Sequence, residues 1–464
     1  MRSRRVIAVV GVALLLAAAG AAALLYANSK REFSTSSAEA ARVYREALDN
    51  ERRFYTREAR LGYARALELD PDFAEAMLGL SRLSGEGEQG QALVRKAGRV
   101  KDRLSERERL HVEMALAQVE RRRDDALKIA AAIHARYPGD VRAAMALANA
   151  EQAKGNSEGA VRIFEELLRL EPNNPDAYNQ IGYYYGWRGD TDRAIANLQK
   201  YQFMLAESAN PFDSLGEVQA YAGRYDDAIA NLNKALLIRP DFFESVGHLG
   251  VAYEGKGEAA KAIAAYEKAA DLADTDSRKG DFLMSAVRAA LGAKDRAAVD
   301  EIVARLDRLP KGTYTEVGRD LTAVVADLTS GRAAEAERRL TEVVPKWEAA
   351  AAREKPPASW KKDWPAWNML MAMARSAQGK DAEAMPLLEK LVNPPNPWRD
   401  FNGRRFVYEG RAQLAALLGR QGDLDRAEKL LEENRKWNPS WAPTREAELA
   451  VAQLRRQKVL AATK

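Results

Sequence analysis

The chain has 464 residues, 72 of them Lys or Arg and 67 Asp or Glu, with 47% hydrophobic residues and no cysteine. That balance describes a folded, water-compatible body rather than a disordered one, and the missing cysteines exclude disulfides, thiolate metal sites, a cysteine nucleophile and lipid attachment through cysteine. The basic excess is local: residues 1–31 hold Arg2, Arg4, Arg5, Lys30 and Arg31 and no acid, and setting those five aside leaves 67 basic against 67 acidic residues, which argues against nucleic acid as a partner.

The first element in chain order is an apolar run from Val6 to Ala27 behind the basic start. As a helix rising about 1.5 Å per residue it is long enough for a hydrocarbon layer of roughly 30 Å. Arg2, Arg4 and Arg5 favour a cytoplasmic N-terminus, with the body on the far side. The alternative is a cleaved signal peptide, with Ala21–Ala23 as small residues near the cleavage site. The run exceeds the usual apolar stretch of about 7–15 residues in such peptides, which favours an uncleaved anchor. Both readings export the body to the periplasmic or extracellular side, membrane-anchored in the one case and soluble in the other.

Beyond residue 31 the composition is rich in Ala, Leu, Glu, Arg and Lys, all strong helix formers, and strands are not expected. A period then becomes visible. Gly155, Gly189, Gly223 and Gly257 recur every 34 residues. Each is followed five residues later by alanine (Ala160, Ala194, Ala228, Ala262) and nine later by a large apolar residue (Phe164, Leu198, Leu232, Tyr266). Eight residues before each glycine stands an apolar residue (Leu147, Ile181, Leu215, Leu249), followed by a small one (Ala148, Gly182, Gly216, Gly250). Each unit reads as two helices. Apolar residues such as Tyr178, Ile181 and Tyr185 define one face of the first. The glycine ends that helix in a left-handed cap, an acid such as Asp190 opens the next, and Pro172 or Pro240 stops it. The small residue and the alanine let the two helices approach closely.

This pattern resembles the tetratricopeptide repeat, a 34-residue helix–turn–helix unit. One unit matches its signature at Phe212, Leu215, Gly216, Ala228, Leu232, Ala235 and Pro240, the next at Val246, Leu249, Gly250, Tyr253, Ala262, Tyr266 and Ala269. Upstream the phase persists through Ala126, Ile133 and Pro138, with Arg121 at the glycine position, and through Ala59, Tyr63, Ala66 and Pro71. Downstream, Gly292, Gly331, Gly379 and Gly422 precede Ala297, Ala336, Ala384 and Ala427 at widened spacings. The resemblance implies an all-α, right-handed superhelical solenoid of about ten helix pairs. Its parts are read as an anchor or signal at 1–31, a first array at 32–275, a divergent array at 276–455 with Pro/Trp-rich inserts, and a tail at 456–464. The break between the arrays is expected near 275–315.

The resemblance also implies a concave groove, lined by the first helices, where extended peptides bind. Asn179, Tyr183 and Trp187 follow at i, i+4 and i+8 and form one stripe on that face; Asp213, Glu217 and Tyr221 fill it in the next unit, and Met145, Asn149 and Ala153 in the one before. Asn149, Asn179, Tyr183, Trp187, Asp213, Glu217 and Tyr221 are therefore the candidate partner-binding residues, against the alternative that they pack between repeats. A clamp for a C-terminal carboxylate needs cations that this stripe lacks. The tripeptide Arg188-Gly189-Asp190 reads as the repeat's turn, not an adhesion motif.

Seven of the eight tryptophans fall between 347 and 441. Trp360, Trp364 and Trp398 are a candidate aromatic surface for a partner or a glycan, against the reading that tryptophans anchor long connections. The three histidines, His111, His134 and His248, have no second ligand at metal spacing, and no phosphate-cradling loop follows a strand. No metal, cofactor or catalytic constellation is expected. The expectation is a non-enzymatic envelope scaffold that holds protein partners through an extended peptide or a folded domain. A carbohydrate-associated scaffold and an effector-binding regulatory module stand as alternatives.

Overall fold

The computed structural model describes residues 33–84, 88–293, 295–310, 313–353, 365–392 and 401–462. The segment 1–31 and Trp360, Trp364 and Trp398 lie outside the described residues. Among those residues there are twenty-three α-helices, one short 3-10 turn and no strand. No described helix is long and apolar enough to cross a membrane.

The chain divides into two compact units, one ending at Ala143 and one running from Ala144 to Lys464. The first holds α1 (Ala38–Arg52), α2 (Thr56–Leu69), α3 (Ala74–Leu83), α4 (Glu88–Val100), α5 (Glu106–Val119) and α6 (Arg123–Arg136), and α7 (Val141–Ala153) begins in it. The second continues with α8 (Ser157–Leu170), α9 (Pro175–Arg188), α10 (Thr191–Met204), α11 (Ala209–Tyr221), α12 (Tyr225–Ile238), α13 (Phe243–Lys256), α14 (Ala259–Leu272), α15 (Asp276–Gly292) and α16 (Arg296–Leu306). It ends with α17 (Thr313–Thr329), α18 (Ala333–Arg353), α19 (Pro365–Ala377), α20 (Asp381–Val392), α21 (Phe401–Gln421), α22 (Leu424–Trp437) and α23 (Ala442–Ala462). Within each unit successive helices pack as pairs, and each pair stacks on the next. One buried apolar cluster runs without interruption from Ala220 to Leu306.

The local chemistry of one unit explains its geometry. Asn174 caps α9 by accepting the Ala177 amide at 3.0 Å, and Pro175 takes the first helical position, where no amide is needed. The helix ends at Gly189 with φ +82°, a left-handed cap that glycine enters without a Cβ penalty. Asp190 then caps α10 by accepting the Arg193 amide at 3.3 Å. Arg188-Gly189-Asp190 is thus a turn. Close pairing depends on the small residues: a Cβ on Gly216 would lie 2.6 Å from Leu232, and Ala194, Ala228 and Ala262 are fully buried. Burying a side chain such as Leu198 or Leu232 contributes about 2 kcal/mol relative to leaving it exposed.

Seven turn glycines, Gly155, Gly189, Gly223, Gly257, Gly331, Gly379 and Gly422, adopt positive φ. Arg121 adopts φ +59° in the glycine's place, and Phe54 does the same five residues before Ala59. Gly292 departs from the expectation. It is the last residue of a lengthened α15, and the chain leaves that helix through Ala293 at φ −79°. The core assignment within α9 also shifts by one residue. Tyr184 is fully buried between Phe164 and Trp187, whereas Tyr178 and Tyr185 are half-buried under Lys200 and Arg193. The described tryptophans of the C-terminal stretch pack: Trp347 is buried and donates Nε1–H to Asp320 at 2.9 Å, and Trp441 is buried under Arg405.

Candidate partner-binding face

The stripe residues fall into distinct environments. Asn149 is exposed and accepts the Tyr184 hydroxyl at 3.0 Å. Asn179 is only 4% exposed, and its Oδ1 has no hydrogen-bond partner among the described residues. Tyr183 and Trp187 are half-buried with ring centroids 5.8 Å apart. Asp213 is buried, Glu217 half-buried, and Tyr221 half-buried beside two apolar clusters.

Tyr183, Asp213 and Glu217 meet around a residue that the stripe pattern passed over, His248 of α13. Its Nδ1 lies 2.9 Å from Asp213 Oδ1 and its Nε2 3.4 Å from Glu217 Oε1. The Tyr183 hydroxyl donates to Glu217 at 2.7 Å, and Ser245 donates to Asp213 at 2.7 Å. Burial alone would lower the His248 pKa, but the carboxylates of Asp213 and Glu217 outweigh it and raise it to about 10, so the ring is an imidazolium at neutral pH. Burial pushes the neighbouring Glu244 up to about 7 against the pull of Arg278, which donates to it at 2.7 Å. Burial and the Glu217 charge raise the Tyr183 hydroxyl well above its ordinary value and keep it a donor.

The first unit carries a related node, about four repeat lengths earlier. His111 of α5 lies between Glu75 of α3, 3.1 Å from Nδ1, and Asp140, 2.9 Å from Nε2. Here an arginine completes the set. Arg142 donates to both Glu75 oxygens, at 2.7 and 3.1 Å, and its Nη2 lies 2.5 Å from His111 Nδ1. Burial would raise the Glu75 carboxyl, yet the Arg142 charge and the His111 hydrogen bond hold it well below the usual carboxylate range. The His111, Glu75 and Asp140 side chains are 2%, 3% and 1% exposed, whereas His248 and Glu217 are 21% and 18% exposed. The first node is closed and the second is half open. The spacing from acid to histidine to arginine is similar in the two: Glu75, His111, Arg142 and Asp213, His248, Arg278. That spacing was the available sequence signal.

Part of the same helix face is covered by the chain's own C-terminal helices. Arg405 of α21 reaches Glu254 of α13 at 2.7 and 3.2 Å, beside Arg288 at 3.0 Å and the Tyr266 hydroxyl at 2.9 Å. Burial opposes the Glu254 charge, but the two guanidiniums hold its carboxyl well below the ordinary range. The Asn438 amide donates to the Tyr221 carbonyl at 3.1 Å and to the Tyr225 hydroxyl at 3.2 Å. Among the described residues no three His, Cys, Asp or Glu side chains converge as metal ligands.

This is a helical-repeat protein whose first helices present a half-open polar node. Residues 120–181 and 214–277 each match a tetratricopeptide-repeat family model, and such repeats generally mediate protein–protein interactions. No curated relative matches the sequence. Among known structures it is similar to MamA, with 26% identity over 34% of this chain and 90% of that one, at a TM-score of 0.29. It is also similar to the APC/C hetero-tetramer Cut9–Hcn1, with 14% identity over 91% and 78% at 0.48, and to yeast Tom70, with 13% identity over 90% and 96% at 0.41.

Proposed function

We propose that this protein is a non-enzymatic scaffold of the cell envelope that holds a protein partner against the first-helix face of its second unit. The observation that carries the reading is the half-open Tyr183–Glu217–His248–Asp213 node, set among strictly phased repeats. Tyr183 and Trp187 add large, amphipathic contact area next to it, the kind of surface that carries binding energy at interfaces. The apolar run Val6–Ala27 behind three arginines supports a tether that leaves the repeats on the non-cytoplasmic side.

Crosslinking in the native envelope, followed by affinity capture, tests the reading. Substituting Tyr183→Ala together with Trp187→Ala lowers recovery of crosslinked partners at least several-fold while helical content stays unchanged. Undiminished recovery from a folded double variant overturns it. Mapping the N-terminus of the mature protein and extracting membranes with carbonate tests the tether: a released, shortened chain rules out the anchor.

A further inference from the structure

The turn that joins α22 to α23 lies against the ends of first helices far from it in sequence. Trp437 rests on Gly189, where an added Cβ would overlap its indole, and its ring centroid is 6.3 Å from that of Tyr408. The side-chain amide of Asn438 donates to the Tyr221 carbonyl at 3.1 Å and to the Tyr225 hydroxyl at 3.2 Å, and its Oδ1 fills the place that a Cβ on Gly223 would take. Tyr225 in turn lies against Gly255 at the end of α13. Two observations mark this arrangement as recognition rather than general packing. Gly189 and Gly223 share positive φ with Gly257, Gly331, Gly379 and Gly422, yet at those four an added Cβ meets nothing within 4 Å among the described residues. Two turns out of the set are thus shaped to the side chains they receive. The docked turn is also preorganised: Asn438 Oδ1 accepts the Ser440 amide at 3.1 Å, a local turn that leaves its own amide protons to face the array. Single hydrogen bonds of this kind contribute little net stability, and polar contacts between parts of one chain resemble interfaces that open and close.

We propose that Trp437–Trp441 is a ligand that the array binds in cis, and that the surface formed by Gly189, Tyr221, Gly223 and Tyr225 receives an equivalent segment of a protein partner, an aromatic residue followed by asparagine, when the cis turn is displaced. The proposal rests on the partner-binding reading above and adds to it a contact of defined chemistry with a gate on it. The missing Cβ at Gly189 gives an indole direct access to the turn. The Tyr221 carbonyl and the Tyr225 hydroxyl take the two protons of a primary amide, a demand that asparagine meets and aspartate does not. Arg405 on Glu254 holds α21 beside this surface and helps to keep the cis turn seated. As a tethered competitor the cis turn acts at an effective concentration on the order of one millimolar, so it screens out weak segments and yields only to those that bind better.

The test uses the full chain in mild detergent and a blocked, dye-labelled peptide of residues 435–443, followed by fluorescence anisotropy. The Trp437→Ala, Asn438→Ala double variant, whose cis turn is disabled, binds the peptide at least tenfold more tightly than the parent chain does. The same peptide carrying Asn438→Asp binds that variant several-fold more weakly. Gly189→Ala, added to the double variant, places a methyl where the peptide's indole docks and abolishes binding. A second measurement needs no peptide. Asn438→Ala alone speeds native-state hydrogen exchange at the Gly223 turn at least tenfold while the amides of α22 keep the protection they have in the parent. No peptide binding to the double variant at millimolar concentration, equal binding to parent and variant, or binding that survives Gly189→Ala overturns the proposal. So does exchange that is unchanged at the Gly223 turn, or that rises equally in α22, because the turn is then ordinary core. In that event, envelope crosslinks that still depend on Tyr183 and Trp187 leave the partner-binding reading standing.

Discussion

Two glycines with the same backbone conformation separate backbone strain from long-range packing. Gly189 and Gly257 have φ of +82° and +79° and end equivalent first helices. A Cβ at Gly257 meets nothing within 4 Å, whereas one at Gly189 overlaps the indole of Trp437. Gly257→Ala therefore carries only the left-handed penalty, about 1 kcal/mol. Gly189→Ala adds overpacking against a ring, about 1–3 kcal/mol more. The overlap pushes on α22, so the excess should disappear when Trp437→Ala is added: in that background the two alanine substitutions cost the same. Long repeat arrays depart from two-state unfolding, so the readout should be local. Native-state hydrogen exchange of the α9–α10 amides, with urea transitions followed by circular dichroism, supplies it. Equal effects of Gly189→Ala and Gly257→Ala in the parent chain would refute the reasoning, because they would mean that Trp437 does not rest on that turn.

The His248 node makes stability depend on pH. A histidine whose folded pKa is about 10 against an ordinary 6.5 contributes stability that is fully present below pH 6.5 and is lost as pH rises through 10. Glu244, raised to about 7, acts in the same sense between its ordinary value and 7. The urea midpoint of the second unit should fall between pH 6.5 and 10 by the equivalent of a few kcal/mol, and His248→Gln should flatten that slope; a parallel slope in the variant counts against the assignment. Arg405→Leu removes one of two guanidiniums from Glu254 and should cost about 2–3 kcal/mol, less than a full break of a buried pair because Arg288 stays. A double-mutant cycle with Glu254→Gln checks it, since additive effects would deny the contact. Leu232→Ala should cost about 2–5 kcal/mol. Gly216→Ala should be tolerated better in that background than in the parent, because its Cβ collides with Leu232; the melting temperatures of the single and double variants decide.

The helices were legible because the repeat imposes one chemical solution many times. A left-handed turn, an alanine and a buried aromatic or leucine recur in register, and each position has a physical job that few residue types fill. Legibility failed where a residue did the job without the expected chemistry. Arg121 and Phe54 enter the left-handed region in place of glycine, while Gly292 stays helical because α15 runs on past the usual stopping point. The stripe on the first helices predicted that Tyr183, Asp213 and Glu217 share a face, since i, i+4 spacing and a 34-residue period fix that geometry. It did not predict His248, which lies one residue off the strict period, nor how deeply Asn179 and Asp213 sink, because burial depends on the neighbouring pairs and not on the helix that bears the residue. Contacts across more than 150 residues, such as Arg405 on Glu254, leave no periodic trace at all.

Those long-range contacts fall at one end of the first helices. Each first helix in this stretch ends under a C-terminal residue: the α9 turn at Gly189 under Trp437, α11 at Tyr221 under Asn438, and α13 at Glu254 under Arg405. The front portions of the same helices carry Asn179, Tyr183, Asp213, Glu217, Glu244 and His248. The third position of the stripe is therefore engaged by the chain itself in α11 and at the end of α13. Arg405 donates to both oxygens of Glu254 and lies 4.8 Å from the centre of the Trp441 ring, so this contact ties the end of α13 to α21 and to the start of α23. Arg405→Leu should therefore speed native-state hydrogen exchange most at the end of α13. Exchange that stays unchanged there would show that the Arg405 contact does not hold that helix end.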